Sequence, residues 1–310
     1  MRTLVTGGAG FIGSHIVDAL LAAGHDVAVV DDLSRGRREQ VSEGASLHVV
    51  DVRSPALHDV LREARPEMVF HQAAQIDVRR SIAEPLLDTG INVLGTVNLL
   101  QACTAAGVRR VVFASSGGAL YGDTEQIPTP EDHPAQPASL YGAAKLGGEV
   151  YGGVFAQLYG LEFVSLRYAN VYGPRQDPHG EAGVVAIFVK KLLSGAAPVI
   201  NGEGTQTRDY VYVGDVVRAN LHAGAVDAAR LGAFNIGTGR ETDVNRLCDM
   251  LRAACGSSVQ PVHAPAKPGE QRRSCLDASR AAELLRWAPE VSLEEGLGRT
   301  VAYFRQGAAA

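Results

Sequence analysis

Thr6-Gly7-Gly8-Ala9-Gly10-Phe11-Ile12-Gly13 sets Gly7, Gly10 and Gly13 three residues apart, between a short apolar run and a stretch with helical spacing. Residues 2–6 predict a strand, and residues 11–23 predict a helix with Gly24 where a C-terminal cap falls. A turn this tight needs a backbone without Cβ where a pyrophosphate approaches. It also leaves the first N–H groups of the helix beginning near Phe11 free to bind that anion. Alone, such a loop reads equally as a plain βα turn. The context favours a dinucleotide: eighteen positions after Gly13, at the end of a second β-branched run over residues 26–30, stands Asp31. A carboxylate there takes the adenosine ribose hydroxyls and repels a 2′-phosphate, which predicts NAD over NADP. Arg35, Arg37 and Arg38 pull the other way. Asp51-Val52, after a third run, reads as an adenine contact or as an acidic helix cap.

Working outward, residues 47–52, 68–71 and 108–115 are further strand candidates. Between them lie a helical stretch at 54–64 and, over 82–106, a loop leading into a long helix. Continuous apolar strands alternating with helices mean a parallel sheet covered on both faces. After about residue 170 the texture changes: residues 173–180 are turn-rich, followed by a helix at 184–193, a short strand near Val199 and the run 209–213. Later helices are predicted at 243–254, 279–285 and 293–305. The expected fold is α/β, a Rossmann-type doubly wound parallel sheet with a smaller, mixed α/β C-terminal substrate domain. Residues 1–169 would form the nucleotide-binding domain with a return segment at about 211–236, and 170–210 with 237–310 the substrate domain.

Composition narrows the classes. With 310 residues, 46% apolar and 20% charged, the chain can bury a full core without disulfides. A net charge of −5 argues against a nucleic-acid binder, and the pairs Arg37-Arg38 and Arg272-Arg273 are too small for a backbone-tracking stripe. Cys103, Cys248, Cys255 and Cys275 show neither a CxxC pair nor metal-ligand spacing, so no disulfide framework and no metal site is expected. No apolar stretch approaches the roughly 20 residues of a membrane helix, and no signal-peptide core follows Met1. The expectation is a cytoplasmic protein without nucleic-acid or membrane partners.

Tyr141-Gly142-Ala143-Ala144-Lys145 puts a phenol and an ammonium four residues apart, on one face if the segment is helical. A neighbouring cation stabilises tyrosinate and lowers its pKa from about 10 toward neutrality, so that the phenol can exchange a proton with a carbinol oxygen. Such a pair alone reads equally as a surface helix. Ser115 and Ser116 end the preceding strand, and strand C-termini line the ligand crevice of an open parallel sheet. They therefore face the same site as Tyr141, or else serve ordinary turn chemistry.

TGGAGFIG, SSGGALYG, YGAAK, RYANVYGPRQ and RDYVYVGDV in this order resemble the extended short-chain dehydrogenase/reductase family, and within it the NAD-dependent nucleotide-sugar epimerases. The likeness runs from Arg2 to about Phe304. It implies Tyr141 as acid/base and Lys145 as holder of the nicotinamide ribose, with cofactor contacts also from Asp32, Ala73 and Tyr168. It implies substrate contacts from Asn170, Arg208 and Arg272, the two arginines gripping a diphosphate. Those arginines read alternatively as a partner of Asp209 or Asp215 and as a solvated side chain. Where the family carries a catalytic serine or threonine this chain has Gly117, which moves the expected hydroxyl to Ser116. Gly118-Ala119 replace the Asp-Glu pair of the sugar dehydratases, and Gln176-Asp177 replace the basic residue that uronic-acid epimerases place after Gly173-Pro174-Arg175. Ser274 stands where some epimerases use a tyrosine to exclude N-acetyl groups. The implied reaction is inversion at C4 of a UDP-hexose, N-acetylated forms included, through a transient 4-keto sugar, by a homodimer for which residues 93–106 offer one face. Other readings are an epimerase acting at C2 or on a uronic acid, an NAD(P)-dependent nucleotide-sugar reductase, and a non-catalytic NAD-binding protein. The intact Tyr141 and Lys145 speak against the last.

Overall fold

Strands and helices alternate along the first half because short continuous apolar runs, buried on both faces, alternate with stretches of helical period. The strands are β1 (Arg2–Thr6), β2 (Asp26–Asp31), β3 (Ser46–Val49), β4 (Met68–His71), β5 (Arg110–Ser116) and β6 (Glu162–Tyr168). The helices between them are α1 (Phe11–Ala22), α2 (Ala56–Ala64), α3 (Val78–Ala83), α4 (Pro85–Thr89), α5 (Gly95–Ala106), α6 (Gly117–Tyr121) and α7 (Leu140–Tyr159). The computed structural model describes residues 1–179, 183–227, 232–266 and 271–308. Gly180 of the turn-rich segment and residues 268–270 preceding Gln271-Arg272 lie outside the described residues.

The second half adds β7 (Asn170–Tyr172), α8 (Val184–Leu193), β8 (Val199–Asn201), β9 (Thr207–Arg208), β10 (Tyr210–Tyr212), α9 (Val213–Ala225), β11 (Ala233–Ile236), β12 (Thr242–Asp243), α10 (Val244–Cys255), β13 (Val262–Ala264) and α11 (Leu293–Ala308). The main sheet has seven strands in the order β11-β6-β5-β4-β1-β2-β3. Every pairing within it is parallel. Neighbouring residues feed opposite faces: Val5, Val27 and Val29 join α1 and α9 in one apolar cluster, while Leu4, Ala28 and Val30 join α2, α5 and α7 in another. A third cluster gathers α8, α10, α11 and β10 around Tyr172, Phe188 and Leu247. The chain returns to the main sheet after β10, since α9 packs on α1 and β11 adds beside β6.

Several predicted elements shift, each for a local reason. The run 47–52 is strand only to Val49, because its partner β2 ends at Asp31, the residue paired with Val49. The stretch predicted as a loop from residue 82 is helical. Asp77 caps α3 by accepting from the N–H groups of Arg79 and Arg80, and Pro85 then starts α4 after forcing Glu84 out of helical geometry. A π-turn over Gly90–Leu94 links α4 to α5, and a second one, Ala281–Leu285, closes the helix predicted at 279–285. Gly148 and Gly152 bring α7 directly onto the sheet. A Cβ on Gly152 would stand 2.2 Å from the Phe163 ring, and one on Gly148 2.5 Å from Phe113. Among the described residues no helix is long and apolar enough to cross a membrane.

Candidate active site

The strand order reverses between β1 and β4, and a crevice of about 850 Å³ opens at the C-terminal ends of these strands. All the residues expected to hold the cofactor line it: Gly7, Gly10, Phe11, Ile12 and Gly13 from the glycine turn, Asp31 and Asp32 from β2 onward, and Asp51 and Val52 beyond β3. Ala73 after β4, Ser115 of β5, Tyr168 of β6, and Tyr141 and Lys145 of α7 complete that wall.

The turn admits nothing larger than glycine at its two tightest points. Gly7 has φ +68°, and a Cβ there would lie 2.7 Å from the amide nitrogen of Ala73. A Cβ on Gly13 would lie 2.1 Å from the carbonyl oxygen of Gly7. Asp31 is buried and shapes the loop around it, its carboxylate accepting from the N–H of Ala9 at 3.0 Å and of Leu33 at 2.9 Å. Burial pushes that carboxyl above its ordinary value, and the two N–H bonds oppose the shift. Asp51 is no helix cap: Pro55 holds that position, and the Asp51 carboxylate takes the N–H and guanidinium of Arg53. The hydroxyl of Ser115 is buried, makes no hydrogen bond and belongs to the crevice wall. A small-residue turn, an acid at the end of β2 and an unspent buried hydroxyl together fit a dinucleotide lying along the strand ends.

Ser139 caps α7 by accepting from the N–H of Gly142, which puts Tyr141 and Lys145 in its first two turns. Lys145 is buried; its Nζ donates to the carbonyl of Ala114 at 2.8 Å and stands 5.8 Å from the centre of the Tyr141 ring. Burial lowers the ammonium to about 8, with the Asp88 and Glu149 carboxylates opposing. The expected depression of the Tyr141 phenol is absent. Burial raises it, the charge of Asp88 adds to the rise, and only a hydrogen bond with Ser116 works against it. The physical reason is placement: Lys145 spends its proton on a backbone carbonyl rather than meeting the phenol, so desolvation wins.

Ser116 lies just beyond the crevice wall at the end of β5, where its Oγ also caps α6 by accepting from the N–H of Ala119. Gly117 is filled from the other side, since a Cβ there would stand 2.5 Å from Cδ1 of Leu276. A hydroxyl-bearing residue at 117 would have to displace that leucine. Behind the wall, His71 bridges the hydroxyl of Thr6 at the end of β1 and that of Thr96 in α5. Thr96 gives its proton to the carbonyl of Asn92, so Nε2 of His71 donates to Thr96 at 3.0 Å and Nδ1 accepts from Thr6 at 2.6 Å. Burial holds this imidazole neutral, lowered to about 3.

Asn170, Arg208 and Arg272 do not line the crevice; Asn170 and Arg208 lie beside Asp209, and Arg272 is joined to β9 through Thr207. The N–H of Asn170 donates to the Asp209 carbonyl at 2.8 Å, and the N–H of Thr207 to the Arg272 carbonyl at 3.0 Å. Asp209 is fully buried and accepts from the N–H groups of Thr238, Gly239 and Leu276. It thereby ties β7, β9 and the segment carrying Ser274 and Leu276 into one wall. The carboxylate of Asp215 is taken by Arg218 at 2.7 Å, and Arg273 is paired with Glu241. Ser274 is buried within that wall, its Oγ 3.1 Å from where a Cβ on Gly118 would be. Three polar residues of the site carried no motif in the sequence: Gln75, Asp88 and Asn92. Gln75 Nε2 donates to Asp88 at 2.8 Å, and Asn92 Nδ2 donates to the same oxygen at 3.0 Å.

The model of the NAD dependent epimerase/dehydratase family matches residues 3–237. The UDP-glucose 4-epimerase of Mycolicibacterium smegmatis is 50% identical over 310 residues, covering 98% of this chain and 99% of that protein. Among solved structures, the UDP-glucose 4-epimerase of Thermotoga maritima with UDP-glucose superposes with a TM-score of 0.96 at 48% identity, over 99% of this chain and 100% of that one. The Thermus thermophilus UDP-glucose 4-epimerase in complex with NAD gives 0.93 at 46% identity, over 98% and 99% of the two chains.

Proposed function

The chain belongs to the NAD dependent epimerase/dehydratase family, and from that premise we propose that it interconverts UDP-glucose and UDP-galactose by inverting C4 of the sugar. The observation that carries this reading is the meeting of Tyr141, Lys145 and the glycine turn in one crevice. Bound there, NAD supplies the acceptor and donor of hydride. What the chain's own residues do is hold, orient and move the proton. Tyr141 takes it from the C4 hydroxyl as the C4 hydrogen leaves as hydride, and returns it to the same oxygen once the turned 4-keto sugar offers the opposite face of C4 to the returning hydride. Ser116 favours the ionised Tyr141 oxygen as a hydrogen-bond partner, and Lys145, fixed on Ala114, is the residue we assign to the nicotinamide ribose. Asn170, Arg208 and Arg272 are the residues we assign to the nucleotide and diphosphate. Their anchorage outside the cofactor crevice suits a sugar that turns about a fixed tether.

We assign residues 1–169 with about 211–236 to the NAD-binding domain, and 170–210 with 237–310 to the sugar-nucleotide domain. The return of α9 onto α1 and of β11 beside β6 supports that division. The protein works as a cytoplasmic homodimer in this reading. Its exposed apolar side chains concentrate on Val150, Val154 and Leu158 of α7 with Leu86 of α4, whereas Leu99, Leu100 and Cys103 of α5 are buried in the core. The contact face we assign is α7 with α4, joined by the exposed Leu94 of the 93–106 stretch. Light scattering should return twice the chain mass, and a monomer would remove this assignment.

Purified protein incubated with UDP-galactose and no added cofactor should form UDP-glucose and stop at an equilibrium mixture. Net consumption of reduced cofactor would instead mark a reductase. Failure to convert after addition of NAD would direct attention to another sugar or carbon.

A further inference from the structure

Asp88 stands at the back of the proton-transfer site in a setting unusual for a carboxylate. It is 1% exposed, and one of its oxygens accepts from both Gln75 and Asn92. The other oxygen is buried and makes no hydrogen bond. A buried carboxylate with an unspent oxygen is costly unless a charge nearby compensates it. Burial raises the Asp88 carboxyl above its ordinary value, and the rise is opposed by the Gln75 hydrogen bond and by the charge of Lys145, itself buried and hydrogen-bonded to a neutral carbonyl. The frame around Asp88 is rigid. Asn92 sits in the π-turn Gly90–Leu94, donates also to the Gln75 carbonyl and accepts from the Gln75 N–H, clamping the loop after β4 against the helix. Gln75 and Ile91 on either side of this frame line the crevice.

We propose that Asp88 is a positioning residue for proton transfer, the fixed counter-charge that keeps Lys145 cationic and sets where Tyr141 exchanges its proton. This role rests on the acid/base reading of Tyr141 and Lys145. The other charged and titratable groups facing the pair are already committed. Glu149 is held by Arg167 at 2.7 Å, His71 is neutral between Thr6 and Thr96, and Arg80 pairs with Glu84 at the surface. Among the described residues Asp88 is the one carboxylate acting on both partners at once, favouring the ammonium and disfavouring the tyrosinate. Removing its charge lowers the proton affinity of both groups. The two breaks of the pH–rate profile, the lower at loss of the Lys145 proton and the upper at loss of the Tyr141 proton, therefore move the same way.

In Asp88→Asn both breaks of the pH–rate profile should shift to lower pH by about one unit, the size expected for loss of one close charge. Asp88→Ser, which buries no new amide, should shift them likewise, and Asp88→Glu should restore them. NMR of lysine labelled at its ε carbon, with Lys145 assigned through Lys145→Arg, gives a readout free of turnover: its titration midpoint should fall in Asp88→Asn. Unmoved breaks and an unmoved Lys145 midpoint in the neutral variants would overturn the role, whatever their rates. A shifted Lys145 midpoint in a protein that fails to turn over UDP-sugars would leave the charge coupling standing and count against the proposed reaction instead.

Discussion

Tyr141→Phe is expected to lower epimerisation about 10³-fold, within the range by which a positioned acid/base accelerates proton transfer. The ring occupies the same space without its oxygen, so the packing of α7 on β5 and β6 is untouched, and the variant should melt with the wild type. Cofactor should still be retained, because the glycine turn, Asp31 and Lys145 are unchanged. The loss should therefore fall on kcat and not on folding or NAD content. The phenol is held above its ordinary value by burial and by Asp88, so the wild-type rate should climb with pH on its acid side. It should level off as Lys145 loses its proton near its lowered value of about 8, below the range in which the phenol ionises. Phenylalanine should abolish the first dependence. Normal turnover by Tyr141→Phe would end the mechanism proposed above.

Gly13→Ala should be nearly as damaging through a different route. The new methyl would lie 2.1 Å from the carbonyl oxygen of Gly7 and 2.8 Å from its carbonyl carbon, and both are backbone atoms that no rotamer change can move aside. Either α1 lifts from the turn or the turn opens, and in both cases the N–H groups at the start of the helix leave the crevice. Overpacking of this kind costs about 1–3 kcal/mol, which thermal unfolding would read as a lowered midpoint. The sharper signature is loss of NAD from the purified protein, together with activity that returns only in excess cofactor. Retention of stoichiometric NAD by the alanine variant would show that the phosphates are not held where the turn places them.

What could be read in advance follows from how local each signal is. The glycine turn, Asp31 and the Tyr141–Lys145 spacing are written within a few residues each, and the alternation of apolar runs carried the parallel sheet with them. The rise of the Tyr141 phenol is not legible in the sequence, because a four-residue spacing says that two groups share a face, not that they meet. Lys145 turns instead to Ala114, a partner 31 positions away. Gly117 reads as a missing hydroxyl in the sequence and as a filled space in the structure, since Leu276 lies against it from 159 positions downstream. The Gln75–Asp88–Asn92 frame left no trace because its residues are ordinary helix and loop polar residues. Only the π-turn brings both donors to one oxygen. Helix α3 did leave a signal, Asp77 followed by Pro85, which composition alone obscured.

The late return of the chain to its own sheet has a consequence for how the protein is made. Strand β6 is complete at Tyr168, but the strand that covers its outer edge begins only at Ala233. The crevice that opens at Gly7 borrows its last wall from Tyr303 and Phe304. At ribosomal speeds of about 5–20 residues per second, roughly 15–60 s separate the emergence of the glycine turn from that of its opposite wall. Through that interval a nascent sheet carries an unpaired apolar edge, the kind of surface that chaperones shield. The wall of the crevice is accordingly complete only once the C-terminal helix has been made.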